Sequence, residues 1–88
     1  MTDKSVKKIN NILLKNNIDI KKYNVNLNLI KVGIIDSMQL VILMSEFENN
    51  FKIKINSKYF YNDNFGSIKS FYKIIQKIIN ANKKSKKE

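Results

Sequence analysis

The stretch that decides the fold runs from residue 33 to residue 51 and reads GIIDSMQLVILMSEFENNF. Asp36 is a residue type that caps helix N-termini, and Gln39 stands three positions later, where its side chain can return a hydrogen bond and complete a capping box. The sequence therefore predicts a helix that begins at Ser37 and ends near Asn49-Asn50, two residues that tolerate a left-handed cap. The apolar residues that follow Ser37 at helical spacing form its expected core stripe: Leu40, Leu43, Met44, Phe47 and Phe51.

Two further helices are predicted on either side of this one. Residues 3–16 carry an apolar stripe at spacings of three and four: Val6, Ile9, Ile12 and Leu13. The clearest amphipathic pattern follows Gly66, with Ser67 as the expected N-cap and an apolar face made of Ile68, Phe71, Tyr72, Ile75, Ile78 and Ile79. Residues 57–62 are too short for an independent helix and predict a single docked turn.

Residues 17–35, between the first two helices, lack a sustained helical period. Residues 24–29 alternate polar and apolar side chains as a strand does, but an isolated strand has nothing to pair with. We therefore expect a long loop that is pinned by Val25, Leu27, Leu29 and Ile30, and a loop of this length in a small domain is usually functional. The predicted fold class is all-α: a small four-helix bundle over residues 1–82, followed by a disordered lysine-rich tail over 83–88.

The composition narrows the classes of function. With 88 residues the chain forms one domain. It has no cysteine, which excludes disulfides and thiolate metal sites, and no histidine, the commonest general base and metal ligand. We therefore expect neither an enzyme nor a metal site. No apolar run approaches the length of a membrane span, and the N-terminus does not resemble a secretory signal, so we expect a cytoplasmic protein without a membrane span.

The formal net charge of +10 is typical of proteins that bind nucleic acid or anionic membranes. All 17 basic residues are lysine, however, whereas arginine supplies bidentate contacts to bases and phosphates. The abundance of lysine, asparagine and isoleucine is also what an AT-rich coding sequence produces. We expect no nucleic-acid partner. A basic helical module that binds nucleic acid or an anionic membrane surface is kept as the alternative function, and an unmodified protein–protein adaptor as a third.

The chain resembles the acyl carrier protein family, which includes the peptidyl and D-alanyl carrier proteins. Gly33-Ile34-Ile35-Asp36-Ser37-Met38 fits the family pattern Gly-x-x-Asp-Ser-Leu, with methionine in place of leucine. The spacing of the apolar residues from Leu43 to Ile55 also fits. So does the segment 64–68, which stands where the family begins its last helix. The resemblance covers about residues 4–80.

This resemblance implies that a phosphopantetheinyl transferase moves 4′-phosphopantetheine from coenzyme A onto the hydroxyl of Ser37. The resemblance implies two roles for Asp36. It caps the helix, and it helps present the serine to the transferase. The arm then carries an acyl or aminoacyl group as a thioester. Further implied partners are an acyl- or aminoacyl-loading ligase and downstream acyl-processing enzymes, and we expect a monomer. The plainer interpretation of Ser37 is a helix-start hydroxyl beside a cap.

The resemblance also implies a partner-binding helix surface and a shelter for the acyl chain. The expected partner interface comprises Met38, Val41, Ile42 and Glu46. The expected core or acyl-pocket residues are Leu43, Phe47, Phe60 and Ile75. The chain departs from the family in charge, because typical acyl carriers have an acidic second helix, whereas residues 37–51 contain only Glu46 and Glu48 as acids. We therefore predict a specialised partner that recognises this helix mainly by apolar contacts.

Overall fold

The computed structural model contains three α-helices, α1 (Asp3–Lys15), α2 (Ser37–Phe51) and α3 (Ile68–Lys86), and one 3-10 helix, Ser57–Tyr61. The structure describes residues 3–61 and 65–86, but not the side chains at positions 60, 61 and 83–86. No strand occurs among these residues, so the prediction of an all-α fold is confirmed. The alternating residues 24–29 lie in turns and irregular backbone, as expected for a loop.

Helices α1 and α2 pack against each other in antiparallel orientation. Near the end of α1, the Asn16 side-chain amide lies 3.4 Å from the carboxylate of Glu46 and its backbone carbonyl lies 3.5 Å from the amide nitrogen of Gln39. Near its start, the Lys8 ammonium donates to the carbonyl of Asn50 at 3.3 Å, at the opposite end of α2. A cation at the C-terminal end of a helix is also favoured by the helix dipole.

The core lies where the apolar stripes of the three α-helices meet. Phe47 of α2 and Phe71 of α3 are both fully buried, and their ring centroids lie 5.9 Å apart. Phe65 meets the Phe71 ring edge-on at 5.6 Å, an arrangement that aromatic pairs prefer. Ile18 and Ile35, at the two ends of the long loop, are also buried in this core, although the sequence pattern did not identify them.

The long loop is attached to the first residues of α3 by hydrogen bonds. The Leu29 N–H donates to the Gly66 carbonyl at 3.0 Å, and the Lys69 N–H donates to the Val25 carbonyl at 3.0 Å. The Asn28 side-chain amide donates to the Phe65 carbonyl at 3.0 Å. Of the four side chains expected to pin the loop, Leu29 is fully buried and Leu27 and Ile30 are half-buried, whereas Val25 is exposed. Val25 contributes its backbone instead.

Helix α3 begins where the sequence predicts, with Ser67 as its N-cap. The Ser70 N–H donates to the Ser67 hydroxyl at 3.1 Å, and the Ser70 hydroxyl accepts from the Ser67 N–H at the same distance. At its other end α3 continues to Lys86, past residue 83, where the predicted lysine-rich tail begins. Lysine is a good helix former and is favoured at helix C-termini, which accounts for the longer helix. Residues 87 and 88 lie outside the described residues.

Two details of α2 differ from the prediction. The left-handed residue that ends it is Lys52 (φ 54°), not Asn49 or Asn50, and its N–H donates to the Glu48 carbonyl. At the start, no hydrogen bond returns from the Gln39 side chain to the Asp36 N–H among the described residues, because Gln39 turns toward α1. The N-cap itself is present, so half of the predicted capping box is confirmed.

The two glycines of the chain offer a matched test of the attachment of the loop. A methyl group at Gly66 (φ +111°) would lie 2.8 Å from the Asn28 side-chain oxygen and 2.9 Å from Ile30, whereas one at Gly33 (φ +81°) would meet nothing within 4 Å. We expect Gly33→Ala to lower the free energy of unfolding by about 1–2 kcal/mol, from backbone strain alone. Gly66→Ala adds steric overlap and should cost about 1–3 kcal/mol more.

Urea denaturation of both variants measures this difference. Equal losses for the two alanine variants would contradict a close approach of the loop to Gly66.

Tyr72 of α3 donates its hydroxyl to the Asn10 side chain of α1, and burial raises the pKa of this hydroxyl above its usual value of 10.0. At neutral pH we expect Tyr72→Phe to be less stable than the wild type by about 1 kcal/mol, because the hydrogen bond is lost. As the pH rises above 10, Tyr72 ionises in the unfolded chain before it ionises in the folded protein, because its pKa is higher in the fold. The free energy that the neutral hydroxyl contributes to folding is therefore lost. The difference between the two proteins should therefore shrink.

Unfolding curves at several pH values between about 8 and 11 check this expectation, and the lysines, which titrate in both proteins, cancel in the comparison. A difference that stays constant or grows would contradict it.

Candidate functional site

The start of α2 is fixed by Asp36. Its backbone is extended (φ −93°, ψ 177°), and its carboxylate accepts a hydrogen bond from the Gln39 N–H at 2.8 Å. Its carbonyl accepts the first intrahelical bond, from the Leu40 N–H at 3.0 Å. Ser37 is therefore the first residue of the helix.

The residues before Asp36 hold this cap in place. The Ile34 and Ile35 N–H groups both donate to the Leu29 carbonyl, at 2.9 and 3.0 Å. Ile35 is buried, which anchors the chain one residue before the cap. Gly33 is exposed, has a positive φ and has open space beside its Cα. The loop thus delivers a rigid backbone to the helix start and leaves the approach to it uncovered.

Ser37 is exposed to solvent at the first position of α2. The Gln39 and Leu40 N–H groups are taken by Asp36, so the Ser37 and Met38 N–H groups are those of the first turn that no acceptor among the described residues takes. Free N–H groups and the positive end of the helix dipole favour an anion here. A phosphate joined to the Ser37 hydroxyl would lie within this favourable field.

One exposed face of α2 is apolar, and it begins next to Ser37. Met38, Val41 and Ile42 expose 73, 58 and 48% of their surface, and their spacing of three and four residues places them on the same side of the helix. We call these three residues the apolar face of α2. Exposed apolar patches on small proteins commonly mark interaction surfaces.

The two carboxylates of α2 form hydrogen bonds within the fold. Glu46, predicted for the partner interface, is half-buried and lies 3.4 Å from the Asn16 side-chain amide. It therefore stands at the boundary with α1 rather than in the open. The carboxylate of Glu48 accepts from the Ile55 N–H at 2.7 Å and holds the segment that follows α2. Neither carboxylate of α2 therefore belongs to the apolar face of this helix.

The predicted core or acyl-pocket residues are buried where they are described. Leu43, Phe47 and Ile75 are each at most 1% exposed and belong to one cluster. Because protein interiors are close-packed, an acyl chain could enter between them only if they moved apart. The side chain of Phe60 lies outside the described residues.

The described residues offer no metal site built from three or more histidine, cysteine, aspartate or glutamate side chains. None of the helices in residues 3–61 and 65–86 has both the length and the apolar character that a membrane crossing requires. Comparison of the chain with protein-family models, curated proteins and solved structures finds no match.

The structure adds one residue to the site that sequence reasoning missed. The Asn28 side-chain oxygen accepts from the Ile30 and Lys31 N–H groups at 3.1 and 3.0 Å, while its amide holds the Phe65 carbonyl. Asn28 thereby stabilises the turn at residues 28–31 and also joins this turn to the segment that precedes α3. Asparagine is common at such turns, but the chain is rich in asparagine, so residue type alone gave no signal.

Asp36 can be tested for its role as a cap separately from its charge. We expect Asp36→Ala to lower the free energy of unfolding by about 1 kcal/mol, because the Gln39 N–H loses its acceptor. Asp36→Asn should change it by no more than a few tenths of a kcal/mol, because asparagine caps helices about as well as aspartate. Urea denaturation measures both; an asparagine variant as unstable as the alanine variant would contradict the cap as the source of the effect.

Proposed function

We propose that this chain is a carrier domain of the acyl carrier protein type, with 4′-phosphopantetheine attached to Ser37. The observation that carries the proposal is the solvent-exposed serine hydroxyl at the first position of a helix that Asp36 caps. The arrangement of helices supports it, since three main helices, a short 3-10 helix and a long first loop are what the family resemblance implies.

The transfer reaction requires few chemical groups from this chain. The Ser37 oxygen forms a phosphodiester bond as the phosphoanhydride of coenzyme A breaks, adenosine 3′,5′-bisphosphate leaves, and the hydroxyl proton goes to a base of the transferase. No general base is needed in this chain, which fits its lack of histidine. The unpaired N–H groups of the first turn favour the phosphate once it is attached.

When bound, the arm supplies a terminal thiol that holds an acyl or aminoacyl group as a thioester. The chain itself has no cysteine, so this thiol would be its only one. The role of the fold is to present the tethered group at high local concentration to each partner enzyme. The apolar face of α2, which begins one residue after Ser37, is the surface that we propose such enzymes contact.

The transfer reaction tests the proposal. The purified chain is incubated with coenzyme A and a broad-specificity phosphopantetheinyl transferase, and its intact mass is measured. We expect the wild type to gain the mass of one phosphopantetheine and Ser37→Ala to gain none. Ser45→Ala is the matched control, because Ser45 is also an exposed serine of α2, and it should gain the mass as the wild type does.

No mass gain in the wild type, or an undiminished gain in Ser37→Ala, would overturn the proposal. Asp36→Asn serves as a further variant, since it keeps the cap but removes the charge beside the serine. If the carboxylate takes part in presentation to the transferase, this variant should be modified more slowly at unchanged stability.

A further inference from the structure

Helix α3 concentrates positive charge on its exposed side. The segment Ile68–Lys86 contains six lysines and no carboxylate. Lys69, Lys73 and Lys77 recur every four residues and are all exposed. Residues at this spacing lie above one another on the same side of a helix, so their ammonium groups form a row along α3.

This row borders two open clefts. A cleft of about 390 Å³ lies between the long loop and α3, where Lys31, Lys69 and Lys73 surround it together with asparagine and serine side chains. A second cleft, of about 490 Å³, continues along α3 past Lys73 and Lys77. Both clefts include Lys73 in their lining, so they adjoin at this residue. We call Lys31, Lys69, Lys73 and Lys77 together the basic groove.

Lys31, Lys69 and Lys73 are the charged groups in this groove that have no other partner among the described residues. Two of the neutral side chains beside them are committed to the fold: Ser70 bonds with Ser67 and Gly66, and Asn28 bonds with the loop and Phe65. Lys31, Lys69 and Lys73 form no side-chain hydrogen bond or ion pair with the described residues. Several like charges held along one surface favour a ligand of opposite charge.

The basic groove is charged, whereas the apolar face of α2 is not. That face contains no charged residue, and the two carboxylates of α2 are hydrogen-bonded within the fold. Apolar contacts act only at short range, whereas complementary charge steers encounter and selects partners. The lysines of the basic groove are a group of like charges on one surface, and a partner that recognises them would need an acidic surface.

The groove fits protein carboxylates better than nucleic acid or membrane. Its described lining contains no aromatic ring on which a base could stack and no arginine. Ala81 is the one apolar residue among the described residues of its lining, and a single methyl group gives little to insert into a bilayer. We propose that the basic groove binds an acidic segment of a partner protein. This inference rests on the proposed function, because it takes the partner to be an enzyme that acts on the carrier.

A short polyglutamate peptide is the probe, titrated into the isotope-labelled full chain and followed by amide chemical shifts. We expect shifts to cluster at residue 31 and along residues 69–81. The variant K31Q/K69Q/K73Q should bind the peptide about tenfold more weakly, as expected for three exposed ion pairs. Lys77 is left in place because its ammonium lies 6.0 Å from the Tyr59 ring centroid.

The matched control is K4Q/K7Q/K15Q, which removes the same charge from exposed positions of α1. Glutamine forms helices about as well as lysine, so both variants should remain folded, which circular dichroism checks. The control should weaken binding by no more than about twofold, through net charge alone. Equal losses in the two triple variants would overturn the proposal, since net charge would then explain the binding.

Two further outcomes would also overturn it. One is tighter binding of an oligothymidylate of equal formal charge to the same groove, and the other is binding to anionic phospholipid vesicles without binding to the peptide. The mass measurement on the same preparation separates this inference from the proposed function. A chain that gains the arm but does not bind the peptide contradicts only the groove. A chain that binds the peptide in the groove but gains no arm contradicts the carrier function.

Discussion

The attachment of the long loop to the start of α3 is the constraint on which the position of Ser37 depends. The Leu29 N–H bonds to Gly66, while the Leu29 carbonyl accepts from Ile34 and Ile35. One buried residue thus connects the start of α3 to the residues directly before the cap of α2. Without it, the segment between α1 and α2 would be a flexible connection with a large conformational entropy. With it, Asp36 and Ser37 emerge from a fixed backbone.

Core packing divides α2 into a buried side and an exposed side. Leu40, Leu43, Met44 and Phe47 are buried in the core, which fixes the rotation of the helix. The opposite side must then present Met38, Val41 and Ile42 to solvent, although their exposure gains nothing for the fold. Since both carboxylates of the helix are hydrogen-bonded to other parts of the fold, this side exposes apolar area rather than charge. The lysines of α3 provide the charge elsewhere.

The local patterns of the sequence predicted the helices well. Apolar spacing located all three α-helices, and Asp36 and Ser67 marked two helix starts, because a cap acts within three residues of itself. The same periodicity left open whether Met38, Val41 and Ile42 pack in the core, and the structure shows that they are exposed. The end of α2 was less well predicted, because Lys52 takes the left-handed position, where glycine is the usual residue and asparagine the next, and its N–H bonds to Glu48.

Contacts between residues distant in the sequence could not be predicted in this way. Asn28 meets Phe65 across 37 positions, and Glu46 meets Asn16 across 30. No local pattern encodes such pairs. The contact of Glu46 with α1 was therefore not foreseen, and its place in the partner interface stays a prediction. Gly66 was identified as a break between elements, but the close approach of Asn28 and Ile30 that requires a glycine there is a property of the folded chain.

The central claim is that the fold presents one particular hydroxyl, that of Ser37, for modification. The most direct measurement is to digest the transferase-treated chain with trypsin and locate the arm by fragment-ion mass spectrometry. Cleavage after Lys31 and Lys52 releases a peptide of residues 32–52 that contains two serines, Ser37 and Ser45. The account predicts that the fragment ions place the arm on Ser37 alone. An arm on Ser45, or on a serine outside this peptide, would contradict it.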